Sequence, residues 1–294
     1  DGKGYVRTPG IVSAEQIAAW EKVCHKVQEN DGKIVMQIMH CGRIAAAANK
    51  PKYARTLAPS PIHAAGKIYT DTDGMVEHDV PLEMTLEDIE QTINDYATAA
   101  QNAINIGFDG IELHATSGYL PAQFLSTGTN QRKDAYGGSL ENRLKFTLDV
   151  LDAMINQVGA GRIGMRICPG NAFNDLHDDD PEQTFAALLD AVSPKHLAYL
   201  HVIRMKPEIN GGIDNIALAQ KHFNGQLILN ESFTKESAQK IIESCQASAV
   251  SFGRLFISNP DLVRRFETNA PLAEINHSTL YTPGEKGYTD YPFL

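Results

Sequence analysis

Three side chains that could act on a substrate lie close together in the sequence. His114 ends a run rich in branched residues, and Ser117 and Tyr119 follow it around a turn that contains Gly118. An imidazole or a hydroxyl can donate a hydrogen bond to a developing oxyanion, and a phenol can give up a proton. A lone histidine at a strand end is more often a satisfied polar residue, but the three groups together predict an active site.

Other polar side chains also fall at the ends of predicted strands. Gln37 carries an amide that can both donate to and accept from a flat heterocycle, although a satisfied polar strand end is the alternative. Arg166 requires an anion, a charge-delocalised partner or an ion pair with a nearby acid. Gly253 and Arg254 follow the last predicted strand, where α/β barrels commonly bind phosphate through backbone N–H groups.

The elements that carry these residues alternate between short branched runs and longer helical patterns, which predicts a parallel sheet with crossover helices. The predicted strands are Ile34–Met39, Phe108–His114, Ile163–Cys168, Leu197–Ile203, Gln226–Asn230 and Ala249–Phe252. Helices are predicted to begin at Ser13, Thr85, Asp180 and Thr234. Two polar insertions, Cys41–Thr85 and Ser126–Ser139, interrupt the alternation where an α/β barrel keeps its working loops. The pattern therefore predicts the α/β class, with its polar strand ends on one rim.

The composition is that of a globular protein and argues against several classes of function. The 294 residues include 26 basic and 36 acidic ones, a formal net charge of −10, so no nucleic-acid partner is expected. There is no apolar run of membrane-spanning length and no basic-then-apolar leader, so neither a membrane span nor secretion is expected. The four cysteines are far apart, without metal-ligand spacing, which favours the cytoplasm and no metal site.

Eight segments match the motifs of one known family in order. They are Thr8–Ile11, Gln37–Arg43, Ala58–Pro61, Gly107–His114, Asn130–Asp134, Tyr136–Arg143, Phe252–Pro260 and Gly287–Pro292. Through them roughly the whole chain resembles the old yellow enzyme family of flavin-dependent ene-reductases. The resemblance implies a TIM-type (β/α)8 barrel, with about six strand–helix units visible here. It also implies that NAD(P)H reduces FMN, which then reduces the C=C bond of an α,β-unsaturated carbonyl or nitro compound.

The resemblance implies specific contacts with the flavin. Gln37 would hold the pyrimidine edge of the ring, and Arg166 would lie near N1 and O2 and stabilise the reduced anion. Gly253 and Arg254 would bind the phosphate. Asn230 and Ser232 would contribute to the same end of the cofactor, because they belong to the turn that approaches the phosphate in the family.

The resemblance also implies roles in substrate binding and catalysis. His114 would donate a hydrogen bond to the substrate oxygen, and Tyr119 would be the proton donor. Met39 stands where the family has a tryptophan, which implies a larger and softer pocket. Tyr281 resembles the family's C-terminal pocket tyrosine, and an ordinary surface tyrosine in the tail is the alternative interpretation.

Two further departures concern hydrogen-bonding groups. The second donor to the substrate oxygen, an asparagine or histidine in the family, is Ser117 here, a shorter group. The family's glycine-rich phosphate turn reads Asn230-Glu231-Ser232-Phe233, which adds a carboxylate and two Cβ atoms beside a dianion. These departures favour an alternative function: a flavin-free isomerase or cyclase of the same fold, or a ligand-binding pseudoenzyme.

The resemblance begins after the family's second barrel strand. We therefore expect residues 1–294 to form a single barrel domain that is N-terminally incomplete relative to the family. Either the sequence is part of a longer barrel, or the protein lacks the first two strands. The expected partners are a small-molecule substrate and the nicotinamide cofactor, with a homodimer as one arrangement of the chain.

Overall fold

The computed structural model describes Asp1–Leu294, and the chain divides into a first unit, Asp1–Gln226, and a second unit, Leu227–Leu294. The strands of the first unit are β1 (Val35–Ile38), β2 (Leu57–Ala58), β3 (Lys67–Thr70), β4 (Gly74–Glu77), β5 (Leu82–Glu83), β6 (Gly110–His114), β7 (Ile163–Ile167) and β8 (Tyr199–Ile203). Its α-helices are α1 (Ala14–Gln28), α2 (Leu86–Asn105), α3 (Leu120–Leu125), α4 (Leu140–Val158), α5 (Pro181–Val192) and α6 (Asn215–His222). The second unit contains β9 (Leu227–Asn230), β10 (Ala249–Ser251), α7 (Lys235–Glu243), α8 (Arg254–Ser258) and α9 (Leu262–Thr268). Short 3-10 helices lie at Ala47–Asn49, Ala160–Arg162, Ser193–Lys195, Pro207–Ile209 and His277–Thr279.

Parallel strands form the main sheet of each unit. In the first unit they follow the order β1, β6, β7, β8, and in the second β9 pairs with β10. All six predicted strands are present, and no end differs from the prediction by more than two residues. The Cys41–Thr85 insertion also contains two small pairings that were not predicted, parallel β2–β5 and antiparallel β3–β4. Strands of two to four residues are too short to give a reliable alternating pattern.

Side-chain caps begin the helices where the sequence predicted them. Ser13 and Thr85 each accept a hydrogen bond from the backbone three residues ahead and complete a capping box, as does Thr234. Asp180 caps α5, whose first residue is Pro181. Such caps stabilise a helix by about 1 kcal/mol each, because they satisfy backbone N–H groups that have no partner within the helix.

The core of the first unit encloses the strand that carries the predicted catalytic histidine. Every residue of β6 is buried, and so is every residue of α3. Helix α2 packs against α4 and β6, and α4 packs against α3. At the last of these contacts the rings of Phe124 and Phe146 stack with their centroids 4.0 Å apart. Dense packing fixes the side chains of β6 and of the turn that follows it. Among the helices, none combines the length and the apolar character needed to cross a membrane.

Candidate active site

The register of the parallel strands in the first unit brings polar side chains together. Gln37 of β1 lies opposite Glu112 of β6, and His114 of β6 lies opposite Arg166 of β7. Arg166 in turn lies opposite His201 of β8. Alternate residues of a strand face the same side of a sheet, so Glu112 and His114 share one side. Four neighbouring strands therefore contribute to one polar cluster.

Hydrogen bonds connect most of this cluster. Gln37 donates through Nε2 to Oε1 of Glu112 at 2.5 Å, and Oε2 of Glu112 lies 2.8 Å from Nδ1 of His201. An Nη of Arg166 lies 2.9 Å from Nε2 of His201. Burial raises the pKa of the Glu112 carboxyl, but the hydrogen bonds from His201 and Gln37 outweigh it and the pKa is lowered overall. Glu112 is therefore a carboxylate that holds Gln37 and His201 in place.

A glycine in the same row makes room for an aromatic ring. Gly164 of β7 lies between Glu112 and Tyr199 of β8 in the register, and a Cβ on it would lie 2.2 Å from Cζ of Tyr199. Burial and the neighbouring Glu112 carboxylate raise the pKa of Tyr199. No sequence pattern identified Glu112, Tyr199 or His201 as a site residue. Glu112 could have been recognised from the sequence, because it lies two residues before His114 within the matched segment Gly107–His114.

His114 is a buried polar group without a hydrogen-bond partner. His114 is 7% exposed, and neither of its ring nitrogens makes a hydrogen bond within the protein. Burial, followed by the positive charge of Arg166, lowers its pKa to about 4. The ring is therefore neutral near pH 7 and offers one N–H donor and one acceptor. An unpaired buried polar group lowers the free energy of unfolding by about 1–3 kcal/mol. A bound ligand that supplies the hydrogen-bond partner would offset this cost.

The phenol of Tyr119 lies beside this imidazole. The ring centroids of His114 and Tyr119 are 5.3 Å apart, and the Tyr119 hydroxyl shares a hydrogen bond of 3.0 Å with the hydroxyl of Tyr5. Burial, then this bond to Tyr5, raises the pKa of Tyr119, so the phenol keeps its proton at neutral pH. Tyr5 lies three residues before the matched segment that begins at Thr8, and no sequence pattern identified it.

The turn between His114 and Tyr119 is fixed by a close approach of the backbone. Ser117 and Gly118 both have a left-handed conformation, with φ of 58° and 75°. A Cβ on Gly118 would lie 2.7 Å from both the Cβ of Asn174 and the carbonyl oxygen of Phe173, so only glycine fits there. Asn174 donates to the Ser117 carbonyl oxygen at 2.8 Å. The structure thus places Ser117 on the turn, and its role as second donor stays a prediction.

The remaining predicted residues of the first unit lie on and after β1. Met36 and Ile38 are buried, whereas Gln37 lies on the exposed side of this strand. Met39 follows β1 directly and is half-buried. A cavity of about 860 Å³ borders the strand and includes Gln37 and Met39 in its lining. The lining of this cavity does not include His114, Tyr119 or Arg166.

The second unit contains the predicted phosphate-binding residues. Asn230 ends β9 and donates to the Ser251 carbonyl oxygen at 3.0 Å. Glu231 and Ser232 follow it, both with positive φ, and the carboxylate of Glu231 forms an ion pair with Arg254. Gly253 and Arg254 are exposed, and so is Ser232.

Tyr281 lies in the tail of the second unit and is 88% exposed. Its backbone N–H donates to the hydroxyl of Tyr288 at 2.7 Å. Its assignment to a substrate pocket stays a prediction, as do the roles of the phosphate-turn residues.

The low pKa of His114 predicts a loss of stability in acid. An unfolded histidine binds a proton near pH 6.5, whereas His114 in the native state binds it only near pH 4. Between these values the unfolded state holds more protons, so lowering the pH from 6.5 to 4 should lower the free energy of unfolding by about 3 kcal/mol through this residue. Urea denaturation at both ends of this window, for the wild type and His114→Gln, measures the effect. An equal decrease in both proteins would contradict it.

Known proteins provide an independent comparison. A protein of Oryza sativa subsp. japonica named 12-oxophytodienoate reductase 1 is 38% identical over 299 residues, covering 99% of this chain and 77% of that protein. A Leishmania infantum protein named probable flavin mononucleotide-dependent alkene reductase is 40% identical over 302 residues, covering 99% of this chain and 82% of that protein. The solved structure of the old yellow enzyme homologue from Zymomonas mobilis has a TM-score of 0.95 at 36% identity, covering 100% of this chain and 83% of that one.

The structural likeness confirms the predicted fold class, α/β of the TIM-barrel type. The family model described as NADH:flavin oxidoreductase / NADH oxidase matches residues 1–273, which is most of the sequence. Identity above 35% over nearly the whole chain agrees with that match. The chain belongs to the NADH:flavin oxidoreductase / NADH oxidase family.

Proposed function

We propose that this chain is an FMN-dependent ene-reductase that uses NAD(P)H to reduce the C=C bond of α,β-unsaturated carbonyl or nitro compounds. One observation carries the proposal: a buried neutral imidazole without a partner, His114, lies beside Tyr119, a phenol that keeps its proton. Reduction of an enone uses both groups, a donor to the oxygen and a proton for the α-carbon. The names of the relatives, an alkene reductase and an oxophytodienoate reductase, support this substrate class.

The residues present fit a flavin ring in the first unit. Gln37 offers an amide on an accessible face of β1, and Arg166 offers a positive charge that would stabilise an anionic ring. Glu112 and His201 hold these two side chains in place. When bound, FMN would supply hydride chemistry, taking a hydride from NAD(P)H and giving one to the alkene. In the second unit, Arg254 and the backbone at Gly253, with Asn230 and Ser232, would bind the phosphate.

His114 and Tyr119 have separate tasks in the proposed reaction. An N–H of His114 donates to the carbonyl or nitro oxygen and draws electron density away from the β-carbon, which makes that carbon accept a hydride. Tyr119 delivers its proton to the α-carbon, so that one hydride and one proton complete the saturated product. The Tyr5 hydroxyl is within 3.0 Å and can donate a hydrogen bond to the phenolate that Tyr119 becomes.

Three residues would shape the substrate pocket. Ser117 would be the second donor to the substrate oxygen, and its short hydroxyl favours acceptors that are already strongly activated. Met39 would leave room for bulky substrates because its thioether is flexible. Tyr281, in the tail, would be a further substrate-binding residue.

We also propose a cytoplasmic location, which is supported by the cysteines. All four are free thiols, and Cys24, Cys41 and Cys168 are buried, as expected in a reducing compartment. The homodimer stays a prediction.

The proposed function is tested by adding FMN to the purified chain. We expect a yellow protein whose flavin fluorescence is quenched, and NADPH oxidation that depends on an added enone such as cyclohexenone and yields the saturated ketone. A colourless protein that quenches no flavin under excess FMN would contradict the proposal and support the flavin-free isomerase, cyclase or ligand-binding alternatives. The Glu231–Arg254 ion pair is the observation that favours those alternatives.

A further inference from the structure

A carboxylate contacts the arginine to which we assign the flavin phosphate, so this inference rests on the proposed function. Because β9 and β10 pair in parallel, the loops that follow them leave from the same edge of the sheet. Glu231 and Ser232 follow β9, and Gly253 and Arg254 follow β10. Loops after the last strands of an α/β barrel commonly bind phosphate, and a guanidinium suits a phosphate because it can donate two parallel hydrogen bonds.

Arg254 and Ser232 both donate to the carboxylate of Glu231. An Nη of Arg254 contacts its Oε1, and the Ser232 hydroxyl donates to the same oxygen at 2.9 Å. The side chains of Arg254 and Glu231 are 58% and 37% exposed, so solvent and ligands reach the pair. The donor expected to bind a phosphate thus already binds an anion of the same chain.

The backbone of this loop has a conformation that is typical of glycine. Glu231 and Ser232 have φ of 83° and 58°, the left-handed region that favours glycine. Residues other than glycine rarely adopt such φ values. Here two consecutive residues do so, and one of them, Glu231, carries a carboxylate.

We propose that Glu231 competes with the flavin phosphate for Arg254, so that this chain distinguishes FMN from riboflavin only weakly. A bound phosphate carries close to two negative charges and must displace the carboxylate from Arg254. An exposed ion pair separates at little cost, so the phosphate is not excluded. The phosphate nevertheless contributes less to the affinity than usual. Its contact with Arg254 replaces the contact between Arg254 and Glu231, and the displaced carboxylate remains nearby.

The test compares the dissociation constants of FMN and riboflavin, measured by quenching of flavin fluorescence. Riboflavin has the same ring and lacks the phosphate. For the wild type we expect the two constants to agree within about threefold. Glu231→Gln should tighten FMN binding by about tenfold or more and leave riboflavin binding within about twofold. Glu243→Gln, which removes the same charge at the last residue of α7, should change neither constant.

A second substitution identifies the donor. Adding Arg254→Gln to Glu231→Gln should remove the gain for FMN and leave riboflavin unaffected, and thermal unfolding checks that each variant is folded. The proposal is overturned if wild-type FMN binds more than about a hundredfold tighter than riboflavin, or if Glu231→Gln leaves the ratio of the two constants unchanged. If neither flavin binds to any variant, the proposed flavin function itself is wrong, which is a different result from an unchanged ratio.

Discussion

Tyr119→Phe should slow turnover of a simple enone by about 10²- to 10⁴-fold, the usual contribution of a positioned proton donor. The substitution removes the Tyr119 hydroxyl, which stays protonated at neutral pH. It keeps the aromatic ring that lies against the imidazole of His114. The reductive half-reaction with NADPH should be unaffected, since it needs no proton from this group. Stopped-flow measurement of the two half-reactions separates these effects.

The substrate itself provides the control. A nitroalkene yields a stabilised nitronate that can leave without enzymic protonation, so Tyr119→Phe should retain much more of its activity with a nitroalkene than with an enone. Tyr5→Phe removes only the hydroxyl that is 3.0 Å from the Tyr119 hydroxyl, and it should have a much smaller effect on enone turnover. Wild-type rates for both substrates in Tyr119→Phe would show that this phenol is not the proton donor.

Local sequence patterns predicted the six parallel strands of the main sheets and the starts of four helices, but not the other helices or the short strands β2 to β5. The strand runs and the capping residues Ser13 and Thr85 are set by neighbours within a few positions, so they could be recognised one segment at a time. The contacts within the site depend on pairings between distant segments. Glu112 and His201 are 89 residues apart and meet because β6, β7 and β8 pair in one register, which no local pattern encodes.

The same limit applies to the other residues that the sequence analysis did not connect. Tyr5 and Tyr119 are 114 residues apart and share a hydrogen bond. Glu231 was recognised as a carboxylate in a loop expected to contain glycine, but its pairing with Arg254 requires β9 and β10 to be adjacent. Residue types and motifs thus indicated which groups could do chemistry, and strand register decided which of them touch.

His114→Ala should slow the oxidative half-reaction with an enone by about 10²- to 10³-fold, the loss expected when one donor to a developing oxyanion is removed. The structure offers the reason: the imidazole is neutral, buried and without a partner in the protein, so its N–H is available to the substrate oxygen. Ser117 is the remaining predicted donor on the turn, and its hydroxyl is too short to replace an imidazole.

His114→Asn keeps a donor at the same place and should recover part of the lost rate, which a merely structural role for His114 would not require. A phenolic inhibitor, titrated by the change in the flavin spectrum, should bind His114→Ala more weakly than it binds Tyr119→Phe, because the imidazole supplies the donor to the phenolate oxygen. Reduction by NADPH should change less than enone reduction in both histidine variants. Equal enone rates in the wild type, His114→Ala and His114→Asn would mean that the substrate oxygen is bound elsewhere, and the assignment of this cluster as the active site would then be wrong.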